Sequence, residues 1–140
     1  MKGLPGLIQL NQWKVDVQRR KVTELEILCE RLSEEVSQLQ ADIEREGRNS
    51  GDSVESSQAF SAFLAGAMAQ REKLRGSIAD LQLQISAAKD DLADAYRELK
   101  SYEVAQASRD AREHRKQELR ERVKMDEIGM SMHRRKSGAA

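Results

Sequence analysis

The chain has 140 residues, 24 basic and 24 acidic, with a single proline and a single cysteine. That length allows one domain without a thick globular core, and 34% charged with 4% aromatic residues is the profile of long helices rather than packed layers. Balanced charge excludes general attraction to nucleic acid or membrane, either of which needs a clear positive excess.

Leu4 to Leu10 is too short and interrupted for a signal-peptide core, and no run approaches the ~20 apolar residues of a membrane span. A cytoplasmic protein is expected. Helix 1 should start after Pro5, since proline suits a first helical turn, and cover about 6–46. Within it Ile8, Val15, Val22, Cys29, Val36 and Ile43 recur every seventh position, interleaved with Leu25, Leu32 and Leu39. This is a coiled-coil seam.

Asn11 and Gln18 interrupt the seam, and polar groups at such positions fix register or partner orientation at a cost in stability. Cys29 lies on the seam and reads as a small apolar filler; no second cysteine exists to make a disulfide or metal pair. Trp13 falls off the seam. It is either a bulky edge residue beside the core or an anchor for a partner.

Residues 47–57, GRNSGDSVESS, carry the glycine, asparagine, aspartate and serine density of a loop. Ser56 or Ser57 can cap a second helix over about 58–130, entered through Phe60, Phe63, Leu64, Ala67 and Met68. The small-residue run AFLAGAMA permits close helix approach, although glycine within a helix costs about 1 kcal/mol. From Leu74 the spacing becomes regular: Ile78, Leu81, Ile85, Ala88, Leu92, Ala95, Leu99 and Tyr102 alternate by fours and threes. With a turn near 47–51, residues facing each other across a hairpin have numbers summing to about 103. Ile43 then meets Phe60, Leu39 meets Leu64, Val36 meets Ala67, and Cys29 meets Leu74. Leu25 with Ile78, Val22 with Leu81, Val15 with Ala88 and Ile8 with Ala95 follow. The fold expected is all-α, a two-helix antiparallel coiled-coil hairpin forming one domain over 1–140, its longer C-terminal helix overhanging the N-terminus.

Beyond Tyr102 the seam positions turn polar at Gln106, Arg109, Glu113 and Lys116. From Arg109 to Lys124, seven basic residues alternate with four acidic ones, many at the i, i+3 or i, i+4 spacing of helical ion pairs worth ~0.3 kcal/mol each. Apolar residues return on one face at Leu119 and Val123, with either Glu127 or Met130 as the next position. The overhang reads either as a solvated single helix or as a docking face. The basic tail, 131–140 with His133, Arg134, Arg135 and Lys136, is either solvated or in weak, salt-sensitive contact with an acidic surface or anionic lipid. His114 and His133 are too far apart for a metal pair. No phosphate loop, nucleophile elbow or paired cysteine appears, and a two-helix rod has no cavity in which catalytic groups converge. No enzyme activity, cofactor or metal is expected.

The stretch Ala95-Tyr-Arg-Glu-Leu-Lys-Ser-Tyr-Glu103, the near-terminal Lys124-Met-Asp-Glu-Ile128 and the N-terminal Trp13-Lys-Val-Asp16 resemble segments of the flagellar type III export protein family FliJ. The resemblance extends over the order and length of helix, polar loop and longer helix. It implies a non-enzymatic, stalk-like coiled coil serving flagellum biogenesis, motility and chemotaxis, cytoplasmic and peripheral to the inner face of the cell membrane at the flagellar base. Its implied partners are the hexameric ring of the export ATPase FliI, the cytoplasmic domain of the export gate FlhA, and export chaperones. The candidate ATPase contact comprises Trp13, Leu119, Val123, Lys124, Met125, Asp126 and Glu127. Gate binding in the family uses aromatic residues on the loop-proximal half, where this chain has Asp42 and Glu46; Leu39 and Leu74 are the apolar candidates that remain.

Two rivals stay open. A parallel homodimer with β-branched residues at one seam position and leucine at the other would make a cytoskeletal or scaffolding coiled coil. A basic helix on nucleic acid would use the arginines from Arg109 to Arg122, but the interspersed acids leave phosphate binding feeble.

Overall fold

The computed structural model describes residues 3–139. Ala140, the end of the expected basic tail, lies outside the described residues, as do Met1 and Lys2. Two helices account for nearly all of the rest: α1 over Gly3–Asn49 and α2 over Val54–Ala139, with no strand among the described residues. The fold is an all-α helical hairpin whose second helix, of 86 residues, is much longer than the 47-residue first.

The helix ends differ from the sequence expectation for local reasons. α1 starts at Gly3, whose φ of 69° is open to glycine, so Pro5 lies inside the first turn. There its missing N–H has no helical acceptor to lose. α1 also continues three residues past Glu46. A Cβ on Gly47 would sit 3.3 Å from Cζ of Phe60, so glycine lets the incoming second helix close against the end of the first. The Ser50 hydroxyl donates to the Gly47 carbonyl at 3.0 Å, satisfying one of the acceptors that a helix end leaves open.

The loop therefore shrinks to residues 50–53. The cap of α2 is Ser53 rather than Ser56 or Ser57: the Ser56 N–H donates to Ser53 Oγ and the Ser57 N–H to the Ser53 carbonyl, each at 3.0 Å. That is the bonding of a serine N-cap. At the other end α2 passes through Met130 and carries the tail residues His133 to Lys136 as helix, since no proline interrupts it and Lys136 complements the C-terminal dipole.

Contacts gather into two compact units. A residue of a long helix touches only what lies within a turn or two of it, so extended pairs form local clusters. The first unit consists of Trp13–Tyr96. Its core is Val15 and Val22 of α1 with Ala67, Leu74, Leu81 and Ala88 of α2, all buried. Burial falls on the pairs whose numbers sum to 103: Val15 and Ala88, Val22 and Leu81. Cys29 and Val36, the counterparts of Leu74 and Ala67, are half-buried. Small residues thus oppose larger ones, which lets two helices approach closely without voids. Polar links flank this core. Arg71 donates to Gln40 at 2.9 Å, and Arg19 donates to the Tyr96 hydroxyl with its guanidinium 5.7 Å from the ring centre. The hydrogen bond to Tyr96 holds the Arg19 pKa above its already high ordinary value, so this link keeps its charge.

The second unit comprises Met1–Gln12 with Arg97–Ala140. Leu99 and Asn11 are buried there, while Leu4, Leu7, Ile8, Tyr102 and Gln106 are half-buried. Asn11 is only 2% exposed. Its amide donates to the Leu7 carbonyl at 2.8 Å, but its Oδ1 has no partner among the described residues. From Ala107 to Gly138 every residue but Ser131 is exposed. The seam ends where its apolar residues end.

Candidate partner-binding surfaces

The exposed part of α2 is polar in composition yet carries large apolar side chains at helical spacing. Leu119, Val123 and Met130 lie four and seven residues apart, on one face. Leu119 is 58% and Val123 53% exposed. Met125, Ile128 and Met132 fall on the opposite face by the same arithmetic and are exposed to a similar degree. Isolated exposed apolar residues need no explanation, whereas rows on a continuous helix are candidates for an interaction surface. Around them Lys124, Asp126 and Glu127 are solvent-exposed. The helix itself is supported by exposed local bonds, His114 to Glu118 at 3.0 Å and Gln106 to Asp110 at 2.8 Å.

The remaining candidates are placed differently. Trp13, at 62% exposure, belongs to the unit formed by Trp13–Tyr96, whereas Leu119 to Glu127 belong to the other. Leu39 is half-buried and Leu74 only 9% exposed. Leu74 lies in the seam core, so its side chain has little surface left for a partner. Leu39 keeps one flank open. The loop-proximal part of that unit also shows Phe63 and Met68 at its surface.

Sequence reasoning passed over several exposed apolar residues: Ile27 and Leu28 on α1, Leu83, Ile128 and Met132 on α2. The signal was present in the heptad count. With Val22 and Leu25 on the seam, Ile27 takes the position furthest from it, where a solvated helix would carry a polar group. Among the described residues no cluster of histidine, cysteine or acidic side chains is placed to hold a metal ion. Nor is any described helix long and apolar enough to cross a membrane.

These features define a class, that of helical-hairpin proteins with exposed apolar faces suited to docking. A sequence model of the flagellar FliJ protein matches residues 1–138. The chain belongs to the flagellar FliJ family, a non-enzymatic family of flagellar biogenesis and protein export found at the flagellar base. No curated protein and no solved structure gives a match.

Proposed function

We propose that this chain is a non-enzymatic, stalk-like coiled coil of the flagellar export apparatus, which engages the hexameric ring of the export ATPase FliI through the distal part of α2. The observation that carries the reading is the pair of exposed apolar rows, Leu119, Val123 and Met130 against Met125, Ile128 and Met132. A helix lying on a flat partner needs one apolar face. Two opposed faces suit a segment enclosed by its partner, as a ring encloses a shaft. Lys124, Asp126 and Glu127 would set orientation at the rim of that contact, where charges govern specificity and encounter rate more than affinity. Trp13 supplies a further contact on α1.

The second partner is the cytoplasmic domain of the gate FlhA, contacted on the loop-proximal half through Leu39, with Leu74 holding the seam beneath. Export chaperones and their substrates are delivered through the same assembly, at the inner face of the membrane and only peripheral to it.

The test is ATP hydrolysis by the export ATPase with and without this protein, repeated with the double substitution Leu119→Asp and Val123→Asp. Stimulation by the intact chain that disappears in the double variant, with helicity unchanged, is the expected result. No binding and no stimulation by the intact chain would remove the stalk role and leave a structural coiled coil.

A further inference from the structure

Between Arg109 and Val123 every residue of α2 is exposed, and acids and bases that alternate along the sequence do not alternate around the helix. At about 100° per residue, Arg109, Arg112, Arg115, Lys116, Arg120 and Arg122 all project within about 160° of arc. Asp110, Glu113, Glu118 and Glu121 occupy the opposite side. Two of those acids are engaged there, Asp110 by Gln106 at 2.8 Å and Glu118 by His114 at 3.0 Å. None of the six cations forms an ion pair among the described residues, and Arg112, Lys116 and Arg120 repel one another at four-residue spacing. The acids that interrupt the arginines in sequence therefore stand behind them in space, and the cationic side is left whole.

Leu119, Val123 and Met130 run along the middle of that side, all exposed. Further on, Arg134 joins it while Asp126 and Glu127 oppose it, so seven positive charges less two negative leave five positive over about 40 Å of helix. An apolar line with bases on both flanks and acids behind is the pattern of a helix lying in a membrane interface. There the long basic side chains reach up to the headgroups while the apolar tips sit beneath them. One packed partner helix covers a stripe about 100° wide, narrower than the cationic arc, whereas a flat anionic surface meets all of it. The phosphates of a nucleic acid would satisfy the bases and leave the central apolar line with nothing to bury it.

We propose that residues 109–134 of α2 bind an anionic lipid bilayer directly, lying in its plane with the cationic side down. Charge brings the segment to the surface, and Leu119, Val123 and Met130 hold it there. The contact needs neither the ATPase nor the gate. It covers the apolar row offered to the ring in the reading above, and where that reading holds, a segment held in the ring is withdrawn from the bilayer.

Flotation of the full chain with lipid vesicles tests the proposal with no ATPase present, so its failure leaves the stalk reading standing. At about 50 mM salt the chain should bind vesicles of about 30 mol% phosphatidylglycerol in phosphatidylcholine but not phosphatidylcholine alone. Raising the salt to about 0.5 M should lower binding about tenfold or more. The triple reversal Arg115→Glu, Lys116→Glu and Arg120→Glu should cost about tenfold or more, while the same charge change on α1, Lys14→Glu, Arg20→Glu and Lys21→Glu, should leave binding within about twofold. Leu119→Ser with Val123→Ser should weaken it about threefold or more. Circular dichroism checks helicity, and Arg115→Gln, Lys116→Gln and Arg120→Gln read the same contact should the reversal lose it. Absence of binding to the anionic vesicles overturns the proposal. So does equal binding to neutral vesicles, an equal loss from the α1 reversal, or a DNA duplex of about 30 base pairs that displaces the chain from vesicles at equal phosphate.

Discussion

Two stretches of α2 contain apolar residues in comparable supply and use them in opposite ways. Between Leu74 and Ala88 the chain buries Leu74, Leu81 and Ala88 and half-buries Ile78 and Ile85. Between Leu119 and Met132 it shows Leu119, Val123, Met125, Ile128, Met130 and Met132 to solvent. Hydrophobicity therefore does not separate them; spacing does. A strict alternation of fours and threes places Leu74, Ile78, Leu81, Ile85 and Ala88 on one stripe that another helix can cover, with Leu83 alone of the large apolar side chains left exposed off it, whereas the distal set is split between opposite faces. The first stretch builds the fold. The second is left as exposed surface.

The largest effect that would break this contrast comes from the seam. Leu81→Ala should destabilise the protein by about 2–4 kcal/mol, the usual cost of emptying a buried leucine site, read from denaturant unfolding. A loss as small as that of an exposed substitution would mean that Leu81 is not core. Asn11 sharpens the contrast from the polar side. Its buried Oδ1 lacks a partner, so Asn11→Leu should raise stability by about 1–2 kcal/mol and relax helix register, seen as broadened amide spectra. Ser53→Ala should cost about 1 kcal/mol by removing the α2 cap. Smallest of all, Leu119→Asp with Val123→Asp should change unfolding free energy by no more than about 0.5 kcal/mol. A larger loss would show those side chains to be folding residues.

Most of the fold was legible because coiled-coil packing is written in residue spacing. The sum of 103 is also the sum of Asn49 and Val54, the residues that end α1 and begin α2, so one number carried both the turn and the pairing. Caps were less legible: the loop offers Ser50, Ser53, Ser56 and Ser57, and only backbone geometry decides which one accepts from the next turn. Similarly, nothing in the pattern stops α2 near Met130, and the run into Lys136 lacks a breaker. For the surfaces, Leu119 and Val123 were visible as a return of apolar spacing. On the opposite face Met125 was named as a contact through the resemblance while Ile128 and Met132 were passed over, and Ile27 was missed because attention to seam positions hides what lies opposite. Leu74 shows the converse limit, since a seam leucine is committed to the core before any partner arrives.

Amide hydrogen exchange on the dilute protein, alone and with the export ATPase, most directly tests the claim that α2 divides into a folding part and a docking part. Residues 13–96 should contain the slowly exchanging amides in both samples, while 115–132 exchange rapidly alone and become protected with the ATPase. Protection over 115–132 in the dilute protein alone that equals the seam's, or none gained on adding the ATPase, would contradict that division.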